Sequence, residues 1–276
     1  MPGLFRRLYG SDRPAGDVVA PTLALLDLFD RHGCKITFFV LGEMADWYPD
    51  LVREIARRGH EIGSHGQHHV DMTVLGPARF ASDLERACRS LERLTGERPI
   101  GFRAPNLVYA PWATRILEER GFVYDATVTA SRPLGGKYRG WSKAPQHPYR
   151  PAYEDIARPG GARLVEVPLP AFPVLRYAAG SGIIMRILGY HWSAIALRHA
   201  SRTSTTSFYF HPWEVGARPR PGGHWIRNAI FLRHTGPWML RSVERLLEEF
   251  GDRVMTNRAC VEAFLGAPVD VARIET

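Results

Sequence analysis

Apolar residues follow two alternating patterns along the chain. Where they recur every three or four positions they predict helices, and where they form short runs rich in β-branched and aromatic residues they predict strands. The helical pattern covers residues 19–33, 43–58, 77–95, 111–120, 183–200 and 237–250. The strand pattern covers residues 35–41, 60–65, 100–104, 122–128, 163–169, 207–212 and 253–256.

Strands separated by helices favour parallel pairing with helical crossovers. We therefore predict an α/β fold, either a (β/α) barrel or a doubly wound sheet. Two segments rich in Pro and Gly, residues 131–161 and 216–223, are expected to be loops. Since the sequence has neither an internal repeat nor a break in composition, all 276 residues are expected to form a single domain, residues 1–276.

The chain is basic, with 36 Lys and Arg against 28 Asp and Glu and a net charge of +8. No basic run is interleaved with aromatic residues, so nucleic acid is not an expected partner. Attraction to an anionic lipid face, as a peripheral membrane contact, or to an acidic glycan fits the positive charge at least as well. Cys34, Cys88 and Cys260 are too widely spaced for a zinc-type pair, and we expect reduced thiols. Without an apolar leader or a membrane-length apolar run, a cytoplasmic, soluble chain is expected.

Three histidines lie within five residues in the segment Ser64-His65-Gly66-Gln67-His68-His69, directly after a predicted strand. His65 and His69 are four residues apart, so a tight loop or one helical turn can aim both imidazoles at one point. Neutral imidazole is a common ligand for zinc and similar metals. The spacing therefore favours a metal site over the alternative, a solvated polar loop, and leaves His68 pointing elsewhere.

Three further polar residues end or follow predicted strands, which is where (β/α) barrels carry their chemistry. His211 is placed for proton transfer, although it could equally be a core histidine bonded to a carbonyl. Arg103 could hold a carboxylate or an anionic intermediate on a turn stiffened by Pro105, or form a surface ion pair. Asp125 is either a helix cap or a group of the site.

In this order and spacing, the motifs resemble the polysaccharide deacetylases of carbohydrate esterase family 4, which have the NodB-like fold. The resemblance covers about residues 19–260 and rests on LLDLFDRHGCKITFFVLGEMADWYPDLVREIARRGHEIGSHGQHH, GFRAPN, GFVYDAT and FYFHPWE. FYFHPWE and the later Phe231-Leu232-Arg233-His234 are most similar to the branch associated with exopolysaccharide and capsule synthesis.

The resemblance implies a distorted (β/α) barrel that holds one divalent metal ion, usually zinc. By the family's pattern, His65 and His69 bind the metal and His211 is the catalytic acid. Arg103 orients the catalytic base, and Asp125 occupies the place of the fourth motif. The residues expected to contact substrate are Pro105, Trp213 and Glu214.

One family feature is missing from the sequence. The family opens with a strand that ends in two acidic residues, the first acting as base and the second completing a His-His-Asp metal set. Only Asp12 and Asp17 precede the predicted helix at residue 19, in segments that do not read as a strand. Either the natural protein carries this first strand upstream, or the chain has lost catalysis. A barrel without it has unpaired strand edges, which predict association into a homo-oligomer.

The sequence thus predicts a metal-dependent hydrolase that removes N-acetyl groups from an acetylated glycan or its lipid-linked precursor. A different class of function stays open, namely an inactive deacetylase-like protein that binds carbohydrate. A third possibility is hydrolysis of a non-glycan C–N bond, such as that of a cyclic amide.

Overall fold

The computed structural model describes residues 18–133, 140–217 and 229–269. The helices are α1 Val19–Arg31, α2 Gly42–Trp47, α3 Pro49–Arg57, α4 Met72–Thr95, α5 Ala113–Glu119, α6 Gly182–Leu188, α7 Tyr190–Ala200, α8 Pro237–Phe250 and α9 Asn257–Leu265. The strands are β1 Thr37–Val40, β2 Glu61–Ser64, β3 Gly101–Phe102, β4 Tyr124–Asp125 and β5 Val165–Glu166. Short 3₁₀ helices cover Pro105–Leu107, Pro212–Glu214 and Gly251–Arg253.

The five strands form one parallel sheet in the order β1-β2-β3-β4-β5, so each strand pairs with its neighbour in sequence. Their carboxyl ends are aligned across the sheet, and the row reads Val40, Ser64, Phe102, Asp125, Glu166. Because the chain leaves every strand at this same edge, the residues that follow the strands come together there. The α/β class with parallel strands, predicted from the alternating patterns, is confirmed.

Among the described strands, β1 pairs only with β2. All four residues of β1 are partly exposed, although a strand of a parallel sheet is usually buried on both faces. The predicted absence of a strand before α1 concerns residues 1–17, which lie outside the described residues, as do Asp12 and Asp17. The structure adds that one edge of β1 has no strand partner in the described part of the chain.

Proline and glycine divide two of the predicted helices. Residues 43–58 form α2 and α3, with Pro49 opening α3 and Tyr48 before it in a non-helical conformation at φ −131° and ψ 58°. Residues 183–200 form α6 and α7, which are separated by Gly189 at φ 97°. A single helix-breaking residue thus divides each predicted helix, although the apolar periodicity is continuous.

The two predicted strands nearest the C-terminus are wrong as regular strands. In residues 207–212, only Tyr209 makes a β-bridge, a parallel one to Ser181. In residues 253–256, Arg253 ends a 3₁₀ turn and the following residues are extended without a strand partner. Both segments are apolar runs of the kind that predicts a strand. A regular strand also needs a second strand to form hydrogen bonds with, and sequence alone does not show whether one lies beside it.

Two large apolar clusters cover the sheet. One joins α1 to α7 and α8 and includes Leu28, Phe29 and Val243. The other joins α4 and α5 to β3 and includes Phe80 and Phe102. The three cysteines are unpaired and buried, as expected. No helix in the described ranges combines the length and apolar character that crossing a membrane requires.

Candidate active site

The loop after β2 brings two imidazoles together. The ring centroids of His65 and His69 lie 4.9 Å apart. The Nδ1–H of His65 donates to the carbonyl oxygen of Arg103 at 2.7 Å, which leaves Nε2 as the nitrogen with a free lone pair. Burial and the neighbouring His69 lower the pKa of His65, so its ring is neutral at physiological pH. His68 turns away, and its Nδ1 lies 2.9 Å from the Glu43 carboxylate.

The shape of this loop depends on left-handed backbone conformations. Gly66 has φ 78° and His69 has φ 52°. A Cβ on Gly66 would lie 3.0 Å from Asp83 Oδ2, the same oxygen that accepts the backbone N–H of Gln67 at 2.8 Å. Glycine at position 66 therefore lets the loop close onto α4 and turn both histidines to the same side.

The described residues do not complete a metal site around these two imidazoles. No cluster of three or more His, Cys, Asp and Glu side chains that could hold an ion exists among them. Zinc in proteins normally takes at least three protein ligands. His65 has the neutral state and the fixed ring that a ligand needs, and His69 lies beside it, but a third donor would have to come from outside the described residues.

Arg103, which follows β3, is a buried cation. Its residue is 6% exposed, and its guanidinium donates to the Ala126 carbonyl oxygen at 2.6 Å and to Ser207 Oγ at 3.4 Å. The guanidinium carbon lies 4.6 Å from the ring centroid of Phe39 and 5.1 Å from that of Tyr209. No described carboxylate is within ion-pair distance of it. A buried charge without a counter-ion is costly, so this position suits an anionic group.

Asp125, at the end of β4, organises the turn that carries Arg103. Its two carboxylate oxygens accept the hydroxyl of Thr127 at 2.8 Å and the backbone N–H of Thr127 at 3.2 Å. The Thr127 hydroxyl oxygen in turn accepts the backbone N–H of Ala104 at 2.8 Å. The Asp125 side chain thus holds the first residues after β3 in place rather than facing a ligand.

Glu166, at the end of β5, is the buried neighbour of Asp125. Its Oε1 accepts the backbone N–H of Val128 at 2.8 Å. Burial, followed by the adjacent Asp125 carboxylate, raises the pKa of Glu166 well above its ordinary value. Glu166 and Asp125 thus form a neighbouring buried pair behind Arg103 in which Glu166 favours its protonated form.

This raised pKa predicts a pH-dependent stability. A group whose pKa is higher in the folded state stabilises the fold fully below its unfolded pKa, about 4.3 for Glu, and that contribution is lost as pH rises toward the folded pKa. Glu166→Gln keeps the acceptor for Val128 and a permanent N–H donor, so this loss should vanish. Urea unfolding of both proteins between pH 4 and 9 should show a loss of stability with rising pH that is steeper in the wild type than in the variant by up to about 1.4 kcal/mol per pH unit. Glu119→Gln, the same charge change at an exposed position, should keep the slope, and a slope in Glu166→Gln equal to wild type would refute the assignment.

His211 follows an extended segment that is bridged to Ser181 through Tyr209. Both the backbone N–H and the Nδ1–H of His211 donate to Glu214 Oε1, at 2.9 and 3.0 Å. The ring of Trp213 stacks on that of His211 at 5.9 Å and, also nearly parallel, on Phe231 at 5.6 Å. With aromatic rings against both, Trp213 supports His211 and offers little open face to a sugar.

A cavity of about 1490 Å³ joins these groups. Its lining includes five of the predicted site residues, namely His65, His69, Arg103, His211 and Trp213. The other three, Pro105, Asp125 and Glu214, are buried and do not line the cavity. The structure therefore puts two of the expected substrate contacts and the fourth-motif acid behind the cavity wall.

Several residues that shape this cavity are not predicted by the sequence motifs. Phe39 and Tyr209 flank the Arg103 guanidinium, and Asn106, with φ 56°, lines the cavity while donating to Asp71. Tyr209 could have been predicted from its spacing. In an extended segment, residues two apart face the same side, so Tyr209 is expected on the same side as His211. Nothing local marks the other two.

A parallel α/β sheet with polar residues at its carboxyl edge defines the general class of this protein. The family comparison is more specific. Residues 15–124 match the polysaccharide deacetylase family model, and residues 130–255 match the model of a domain of unknown function, DUF3473. Residues 15–124 thus carry a polysaccharide deacetylase domain, as the motifs predicted.

The chain is 36% identical over 107 residues to a peptidoglycan deacetylase-like protein of Gibberella zeae, a match covering 38% of this chain and 32% of that protein. It is 28% identical over 134 residues to a peptidoglycan-N-acetylglucosamine deacetylase of Bacillus cereus, covering 43% of this chain and 48% of that protein. These matches span a third to a half of the relatives' length. A crystal structure of a putative polysaccharide deacetylase from Mycobacterium smegmatis superposes with TM-score 0.60 at 22% identity, covering 88% of this chain and 74% of that one, and so shares the fold.

Proposed function

We propose that this protein hydrolyses N-acetyl groups on the sugars of an acetylated glycan or its lipid-linked precursor. The observation that carries the proposal is that His65, His69, Arg103 and His211 line a single cavity in a chain that carries a polysaccharide deacetylase domain. Names of the relatives point to the same substrate class, because those quoted above are peptidoglycan deacetylases or resemble them.

The residues around the cavity have different roles in this reaction. His211 is held by its Nδ1, and in the doubly protonated ring the Nε2–H gives its proton to the departing amine nitrogen as the C–N bond breaks. Arg103 is a fixed positive charge that orients a carboxylate, the partner it lacks among the described residues. A carboxylate acting as base would take the proton of the attacking water.

The family's metal, usually zinc, would be held in part by His65 and His69 and would polarise the acetyl carbonyl and water. Because the described residues supply no third ligand, the carboxylates of the site have to come from another part of the polypeptide. Asp12 and Asp17 are the candidates named from the sequence, and Asp270 and Glu275 are the other acidic residues outside the described ranges.

The proposal is tested by acetate release from chito-oligosaccharides and peptidoglycan, with and without added zinc. We expect release that a chelator abolishes and that His211→Gln lowers by about 10²- to 10⁴-fold, the usual contribution of a general acid. Glycan binding without acetate release would instead support the inactive carbohydrate-binding protein, which the incomplete ligand set favours. Hydrolysis confined to a cyclic amide would support the non-glycan hydrolase.

A further inference from the structure

The Nδ1 side of His211 is enclosed by a carboxylate close to it in sequence. Glu214 is the last residue of the 3₁₀ helix Pro212–Glu214, which begins directly after His211. Its Oε1 accepts two hydrogen bonds from His211, one from the backbone and one from the ring. The Glu214 side chain is 1% exposed, so this carboxylate is held inside the protein and does not reach a ligand in the cavity.

A second buried charge fixes the other oxygen of Glu214. Arg186 on α6 donates through Nε to Glu214 Oε2 at 2.6 Å, and the Arg186 side chain is fully buried. Its Nη1 donates to the carbonyl oxygens of Phe231 and Arg233 at 2.6 and 2.9 Å. The carboxylate is therefore held between His211 and an arginine that is itself bonded to a third segment of the chain.

The charge state of Glu214 follows from these contacts. Burial by itself raises the pKa of Glu214, but the hydrogen bond from His211 and the charge of Arg186 outweigh burial, so its pKa lies below the ordinary value. An ionised carboxylate can only accept hydrogen bonds. The proton between the two groups is therefore on His211 Nδ1.

The opposite nitrogen of the ring is the one that serves the cavity. His211 Nε2 has no hydrogen-bond partner among the described residues, and His211 lines the cavity together with His65 and Arg103. The rings of Tyr209 and Trp213 pack against the imidazole at 5.6 and 5.9 Å and restrict its rotation. Asp125 does not share this position, because its oxygens are bonded to Thr127.

We propose that Glu214 and Arg186 are positioning residues for His211: Arg186 holds the Glu214 carboxylate, and Glu214 fixes the proton on Nδ1 so that Nε2 faces the cavity. The role of His211 as acid rests on the proposed function, whereas the tautomer and the orientation rest on the contacts alone. This assigns to Glu214 a place behind the acid, in contrast to the substrate contact that the sequence analysis predicted.

The first test needs no change to the buried pair. Nitrogen-15 NMR of the full chain with labelled histidine, recorded without substrate at a pH where His211 is neutral, reports which ring nitrogen carries the proton. The His211 signals are identified by their loss in His211→Gln. We expect the Nδ1–H tautomer, and the Nε2–H tautomer in the wild-type protein would overturn the proposal.

A matched pair of variants tests the role of Glu214. In Glu214→Gln, the amide oxygen should turn to the Arg186 cation, which presents the NH₂ group to His211. Since two donors cannot pair, Nδ1 must then accept, and the neutral ring should change to Nε2–H. Glu118→Gln alters another buried glutamate, bonded to the backbone of Arg163 and Leu164, and should leave the His211 tautomer unchanged. An Nδ1–H ring in folded Glu214→Gln would also overturn the proposal.

Acetate release separates this inference from the proposed function. An Nδ1–H ring in a protein that releases no acetate would leave the positioning intact and contradict the deacetylase. An Nε2–H ring would refute the positioning whatever the assay gives.

Discussion

Replacing Arg186 by methionine is expected to lower the free energy of unfolding by about 3–5 kcal/mol, because it leaves the Glu214 carboxylate buried without its counter-ion. The Arg186 side chain is fully buried and bonded to one carboxylate and two carbonyl oxygens. Methionine fills similar space but donates to none of them. Each of these acceptors would then be out of reach of water and without a donor.

Urea denaturation of wild type and variant gives the difference directly. Arg198→Met is the matched control, since Arg198 pairs with Glu249 at a position where its side chain is 46% exposed. An exposed pair of this kind contributes about 1 kcal/mol at most. A loss below about 1 kcal/mol in Arg186→Met would show that water reaches the pair.

The double variant Arg186→Met, Glu214→Leu tests whether the two side chains interact directly. Removing both charges leaves no ion stranded in the interior, so part of the lost stability should return. The cycle of single and double variants then gives the coupling between the two side chains. If the losses of unfolding free energy in the two single variants add up to the loss in the double variant, the direct pairing seen in the structure is contradicted.

Replacing His65 by alanine is expected to reduce bound zinc from near one ion per chain to nearly none. The tautomer of His65 is fixed by a backbone carbonyl, because its Nδ1–H donates to the carbonyl oxygen of Arg103. Its burial keeps it neutral, as metal binding requires. Loss of one ligand from a three-ligand set commonly abolishes retention of the ion through purification.

The control lies in the same loop. His68→Ala removes an imidazole that contacts Glu43 instead, so its zinc content should equal that of wild type. Metal analysis of the purified proteins checks both. Equal metal in His65→Ala and wild type, whether one ion or none, would contradict a site at His65.

Asp12→Ala and Asp17→Ala then locate the third ligand. If wild type retains zinc and either variant loses it, that aspartate completes the set. If both keep it, the third ligand is a different residue.

The apolar periodicity and the motifs of the sequence predicted the α/β fold and part of the site. Apolar periodicity gave the helices and parallel strands, since an element has to bury one face wherever it occurs. The order of the motifs located His65, Arg103 and His211 at strand ends, and the common edge of a parallel sheet makes such ends meet. Gly189 and Pro49 show where pattern was insufficient, because one residue's backbone preference divided an otherwise continuous helix.

What the sequence by itself determined is therefore the polysaccharide deacetylase domain of residues 15–124, the α/β class and the residues that meet at the cavity. The tertiary structure decided which polar groups face that cavity and which stand behind it. Asp125 and Glu214 both follow apolar runs and look alike in sequence, yet one braces the turn of Arg103 and the other holds His211. The physical reason is that a buried charge is stable only with its partner. The partner of Glu214, Arg186, lies on a helix 28 residues away, where no local pattern distinguishes it from a surface arginine.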